Sequence, residues 1–143
     1  MITFNGDKKH IKGSTKQIKE VINCIAKDHG YKINQIDYVF VDDEKLLEIN
    51  KAVLKHDYYT DIISFDYTEG KNIEGEIYIS IDRVKDNATK YKTEFHVELL
   101  RVIFHGVLHY VGYKDKSKKA ALVMREQEET YLKIYKEKFH VEL

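Results

Sequence analysis

Apolar residues recur along this chain in two rhythms, one helical and one of strands. Ile18, Val21, Ile22 and Ile25 are spaced three and four apart, behind Ser14 and Thr15 as N-cap candidates and ahead of Gly30 as a stop, which predicts a first helix. Before it, Ile2–Phe4 is a short candidate strand. Ile36–Val41 is dense in β-branched and aromatic side chains and predicts a second strand. Asp42 and Asp43 then cap a helix that carries Leu46, Leu47, Ile49 and Val53. Asp61–Tyr67 and Gly75–Ile81 predict two more strands. Ile77 and Ile79 alternate there with Glu76, Tyr78 and Ser80, and if the two strands pair they form a hairpin around the turn Glu69-Gly70-Lys71-Asn72. The rest of the chain reads as three helices: one from Asp82 as cap to about Tyr91, one from Thr93 to about Tyr110 or Val111, one from Ser117 to about Lys136. The middle helix carries Leu99, Leu100, Val102, Ile103, Phe104, Val107, Leu108 and Val111 on nearly every side, the pattern of a buried helix, and Gly112 is its natural C′ residue. Interspersed strands and helices give the fold class α+β.

Composition narrows this without redirecting it. The chain's 143 residues fit one domain over 1–143, and 43% hydrophobic with 34% charged residues is the balance of a folded chain. Lys+Arg and Asp+Glu both number 24, so the formal net charge is zero and any contact with nucleic acid must use a local basic patch. Cys24 is alone, which excludes a disulfide framework. No apolar run approaches the roughly 20 residues of a membrane span, and Met1–Lys9 has no signal-peptide core. The expectation is a cytoplasmic protein with no membrane contact. Oligomeric state stays open.

The chemistry concentrates in Phe104–Asp115. His105 and His109 are four apart, so on a helix their imidazoles share one face one turn apart and can bind a single metal ion. Gly112 permits a sharp reversal, and Asp115 three residues later can swing back as the third ligand. The pattern is H-x-x-x-H-x-x-G-x-x-D, and three protein ligands leave a vertex open, the catalytic arrangement. The bland alternative is two core histidines bonded to backbone and a solvated Asp115. Gly106 stands where zinc peptidases place a general-base Glu, and a glycine inside a helix implies close approach of another backbone or a substrate. Two other segments carry weight: Tyr59-Thr60-Asp61-Ile62-Ile63-Ser64-Phe65-Asp66, a loop running into a strand, and Gly75-Glu76-Ile77-Tyr78-Ile79-Ser80.

Taken together, these segments resemble the YbeY family, metal-dependent endoribonucleases linked to ribosomal RNA maturation. The family's H-G-x-L-H-x-x-G-Y-D-H reads His105-Gly106-Val107-Leu108-His109-Tyr110-Val111-Gly112-Tyr113-Lys114-Asp115 here. Its upstream L-N…T-D-V-L-S-F block is matched by Ile49-Asn50, Asp57 and Thr60–Phe65, and its G-D-I-Y-I-S block by Gly75–Ser80. The resemblance implies a small mixed sheet surrounded by helices, with a zincin-like two-His helix at the base of a cleft. It implies one Zn2+ per chain on His105, His109 and Asp115, and single-strand-specific cleavage of RNA in 16S 3′-end maturation and ribosome quality control. The implied partners are ribosomal RNA and the small ribosomal subunit. Two departures stand out: Asp115 replaces the family's third His, and Leu54 replaces an Arg implicated in activity, with Lys55 beside it as the nearest cation. Carboxylate is a competent zinc ligand, whereas Lys cannot reproduce a bidentate Arg.

The candidate catalytic residues are therefore His105, Lys55, Asp61 and Ser64. The metal would either lower the pKa of a water toward about 7 or polarise a phosphoryl oxygen while the ribose 2′-OH attacks, and the sequence does not choose. Lys114, Lys116, Lys118 and Lys119 flank the metal loop as a candidate phosphate-binding patch. Two competing functions remain: another metal-dependent hydrolase acting on a peptide or ester, and a non-catalytic ribosome-assembly factor with a bound metal, which Leu54 favours.

Overall fold

The computed structural model describes residues 1–141. Four strands, β1 (Ile2–Gly6), β2 (Lys32–Val41), β3 (Ile62–Asp66) and β4 (Asn72–Ser80), form one sheet in the order β1-β2-β4-β3. β1 pairs with β2 and β2 with β4 in parallel, and β3 pairs with β4 antiparallel, so the sheet is mixed. Parallel neighbours need crossover connections. The helix α1 (Thr15–Asp28) links β1 to β2, and α2 (Asp43–Leu54) leads from β2 toward β3. The expected hairpin forms with Ile63 opposite Tyr78, which leaves β3 as an edge strand.

Helices α3 (Ile81–Lys90), α4 (Phe95–Tyr110) and α5 (Lys118–Phe139) complete the chain. α4 touches α1, α3, α5, β3 and β4, which explains why it is apolar nearly all round. Leu99, Leu100, Ile103, Phe104, Val107 and Leu108 are fully buried and join Ile36, Tyr38, Ile77 and Ile79 of the sheet in one core. Gly75 and Gly106 set how closely this helix approaches the sheet. A Cβ on Gly75 would lie 2.2 Å from the Tyr110 hydroxyl, and one on Gly106 would lie 2.8 Å from Ile77 Cδ1. The closest approach at Gly106 is thus to side chains of the sheet, Ile77 and Ile62, rather than to another backbone.

Several boundaries differ from expectation for identifiable reasons. α3 is capped by Ser80, whose hydroxyl accepts from the Arg83 N–H at 3.1 Å, while the Asp82 carboxylate accepts from the Asp43 N–H at 2.9 Å and ties α3 to α2. Ser14 and Glu94 occupy the N-cap positions of α1 and α4 without a side-chain cap bond, and the Thr93 hydroxyl is buried without a partner. β2 starts at Lys32 because Lys32 and Ile33 already pair with Asn72 and Ile73, a tertiary gain that local pattern does not announce. α5 runs on to Phe139, whose ring lies 5.2 Å from Tyr135 and extends the apolar face.

Candidate metal centre

The C-terminal half of α4 brings His105 and His109 out of the core onto the floor of a cleft of about 640 Å³. Each imidazole is fixed through its Nδ1. His105 Nδ1 donates to Glu128 Oε2 at 2.6 Å, and His109 Nδ1 donates to the Tyr113 carbonyl at 3.0 Å. In the neutral rings both Nε2 atoms are therefore unprotonated, and they sit 3.0 Å apart. Two lone pairs facing at that distance repel unless a cation or proton lies between them.

The third donor arrives as the spacing implied. Gly112 takes φ +109, the Gly112 N–H bonds back to His109 O at 3.1 Å and the Tyr113 N–H to Leu108 O at 3.0 Å. This reversal places Asp115 Oδ2 3.2 Å from His105 Nε2 and 3.4 Å from His109 Nε2. The loop is also pinned to α1: the Tyr113 hydroxyl donates to His29 Nε2 at 2.9 Å, while His29 Nδ1 donates to Ile25 O at 2.7 Å. Two nitrogens and a carboxylate oxygen thus converge as a triangle with edges of 3.0, 3.2 and 3.4 Å. A tetrahedral ion about 2.0–2.1 Å from each donor requires edges of roughly 3.3 Å. The donors fit a metal such as zinc in type, number and spacing, and among the described residues they form a His/His/carboxylate group able to hold one.

Behind the imidazoles lies a charge cluster that sequence reasoning missed. Glu98, Arg101 and Glu128 have side chains only 7, 8 and 6% exposed. Arg101 meets Glu129 at 2.5 Å, Glu98 at 3.5 Å and Glu128 at 3.6 Å, and Arg125 approaches Glu128 at 3.9 Å. The available signal was the stripe Glu98, Arg101, His105 at helical spacing of three and four, polar on an otherwise apolar helix. Burial disfavours the charged form of His105, but the hydrogen bond and charge of Glu128, with Asp115 and Asp61, outweigh it and raise its pKa. His109 goes the other way, lowered by burial and by the neighbouring His105.

Of the other expected residues, Asp61 and Ser64 enter the cleft from the β3 side, and Thr60 beside them. Asp61 receives a long 3.4 Å hydrogen bond from Asn87 Nδ2, and burial raises its pKa above the usual carboxylate value, with His105 partly opposing the shift. Lys55 stands apart: it is exposed at the end of α2, at φ +61, and does not line the cleft. Leu54 is 41% exposed and also outside it. Of the loop lysines, Lys116 lines the cleft together with Arg125, whereas Lys114, Lys118 and Lys119 are exposed elsewhere.

A small mixed sheet carries a buried helix whose two histidines, with a returning carboxylate, form a group able to hold a metal ion at the floor of a cleft. Comparisons with known proteins give the family. The family described as Endoribonuclease YbeY matches residues 1–136. The Endoribonuclease YbeY of Flavobacterium psychrophilum is 48% identical over 136 residues, covering 94% of this chain and 96% of that protein. The one from Flavobacterium johnsoniae is 42% identical over 142 residues and covers 99% of both. The solution structure of TM1509 from Thermotoga maritima superposes with a TM-score of 0.71 at 28% identity, covering 98% of this chain and 92% of that one. The chain belongs to the Endoribonuclease YbeY family.

Proposed function

We propose that this protein is a zinc-dependent endoribonuclease that cuts single-stranded RNA, acting on ribosomal RNA of the small subunit in the cytoplasm, in 16S 3′-end maturation and ribosome quality control. One observation carries the metal-dependent chemistry: three donor atoms within 3.4 Å of one another at the floor of an open cleft, in a chain whose family is named for RNA cleavage. His105, His109 and Asp115 would hold the ion. A bound zinc supplies Lewis acidity toward a phosphoryl oxygen and lowers the pKa of water toward about 7.

The chain's own residues supply the rest. Asp61, held more readily protonated than an ordinary carboxylate, faces the cleft where a proton must be taken from the attacking oxygen or returned to the leaving one. Ser64 lines the same cleft from β3, and its hydroxyl would donate to a phosphate oxygen. Lys116 and Arg125 in the cleft lining attract the phosphate backbone, a role for which Lys55, outside that lining, is less well placed. Tyr58 and Tyr91 line the same cleft with 56 and 57% of their surface exposed, and such rings stack unpaired bases, which duplex RNA does not offer.

The test is cleavage of single-stranded and duplex RNA by the zinc-loaded protein, with and without chelator. Cleavage of the single strand alone, lost on chelation and in His109→Ala, is the expected result. Leu54, exposed and outside the cleft where the family's sequence pattern has Arg, favours a second reading, a metal-bearing ribosome-assembly factor without catalysis. Loaded protein that binds small subunits but leaves every RNA intact would establish that second reading instead.

A further inference from the structure

We propose that Glu128 is the positioning residue of the His105 imidazole, and that α5 thereby sets the metal affinity of a site whose three ligands all lie outside it. The inference rests on reading His105, His109 and Asp115 as metal ligands. His105 stands on a helix and has two neutral tautomers: Nδ1 protonated with Nε2 free, or the reverse. On α4, His109 meets only the Nε2 edge of the ring, at 3.0 Å. The decision comes from α5, where the Glu128 carboxylate lies 2.6 Å from His105 Nδ1 and can only accept when ionised. That contact forces the proton onto Nδ1 and turns Nε2 toward His109 and Asp115.

Glu128 is itself held in place. Its side chain is only 6% exposed, and the buried Arg101 lies 3.6 Å from its other oxygen, Oε1, while Arg125 approaches the same oxygen at 3.9 Å. One carboxylate oxygen thus faces two guanidinium groups, and the other is directed at the imidazole. Arg101 is anchored in turn by Glu98 and Glu129. The negative charge beside His105 also makes its ring a stronger donor toward a cation. His109 takes its orientation differently, from the Tyr113 carbonyl, which bears no charge. The two histidines are therefore unequal: His105 answers to α5, His109 to the loop.

The experiment compares wild type with Glu128→Gln and Glu129→Gln. The second variant removes the other α5 partner of Arg101 without touching His105. Two readouts are taken: Zn2+ affinity by competition with a chromophoric chelator, and the tautomer of His105 in the metal-free protein by 15N-edited NMR of the imidazole. Wild type is expected to show His105 protonated at Nδ1. Glu128→Gln is expected to mix the tautomers and weaken Zn2+ about 10- to 100-fold. Glu129→Gln is expected to leave both unchanged, even where it lowers the unfolding temperature. Folding of each variant is checked by circular dichroism. Unchanged tautomer and Zn2+ affinity in Glu128→Gln would overturn the proposal, as would equal loss of Zn2+ in Glu129→Gln, which would mean a purely structural cluster. Wild-type protein that takes up no Zn2+ while its His105 tautomer still depends on Glu128 would refute the reading of the site and leave the positioning intact.

Discussion

Replacing Gly106 by Ala sets helix propensity against packing at the centre of the site. The residue lies between His105 and His109 on α4, where Ala would ordinarily gain about 1 kcal/mol over Gly. Here the added Cβ would lie 2.8 Å from Ile77 Cδ1 and 3.3 Å from Ile62 Cδ1. Carbon atoms sit at about 3.5–4.0 Å, so the nearer contact must open by roughly 0.7–1.2 Å. Ile77 is fully buried within the hydrophobic core. Overpacking of this kind costs about 1–3 kcal/mol. The net is a loss of about 0–2 kcal/mol, or up to several degrees of unfolding temperature at about 2–4 °C per kcal/mol. If α4 lifts from the sheet to relieve the contact, His105, His109 and Asp115 travel together, because all three belong to α4 and the loop that folds back on it. Asp61 and Ser64 stay behind near the sheet edge. Metal binding should therefore survive while RNA cleavage falls. Chemical denaturation of the metal-free protein, Zn2+ titration and cleavage rates measured together test this. A Gly106→Ala protein more stable by about 1 kcal/mol with unchanged cleavage would refute the argument, because propensity alone would then account for the position.

Three further outcomes are expected. Burial raises the pKa of Asp61, so its contribution to stability is full below the ordinary value of 3.8 and is lost as pH rises through the raised one. Metal-free Asp61→Asn should accordingly melt above wild type at pH 7, with the gap closing in acid, as followed by circular dichroism. Tyr38, Tyr110 and Tyr131 all have raised pKa values, burial being the largest cause in each. Their neutral forms support the fold fully below the ordinary value of 10.0, and that support is lost as pH climbs above it, so the unfolding temperature should drop in alkali and drop less in Tyr110→Phe. Lys116→Ala should weaken single-stranded RNA binding and reduce the slope of log K against log salt by about 0.7, whereas Lys55→Ala should leave that slope in place; equal slopes in the two variants would contradict the role given to Lys116.

Much of this was legible in the chain because the signals were local. The spacing of His105 and His109 and the reversal at Gly112 follow from helix geometry and a single positive φ, and Asp115 returns as that geometry requires. The apolar girdle of α4 announced its burial. Less local features were not legible. α3 starts at Ile81, two residues earlier than a cap at Asp82 would give, so Ser80 caps it and the Asp82 carboxylate accepts instead from the Asp43 N–H of α2, a contact made in space. The Glu98–Arg101–Glu128 cluster was hidden because its halves lie on two helices, each explicable alone: one as mostly apolar, the other as an ordinary charged surface. Lys55 was attractive by its place in the sequence, but the left-handed turn at the end of α2 leaves it outside the cleft.

The central claim is that His105, His109 and Asp115 hold one divalent metal ion. The most direct measurement is the metal content of the purified protein by elemental mass spectrometry, with His105→Ala and Asp115→Ala prepared alongside. The account predicts about one zinc per chain in the wild type, and its loss from both variants while each stays folded. Metal absent from the wild type, or retained in full by Asp115→Ala, would contradict it.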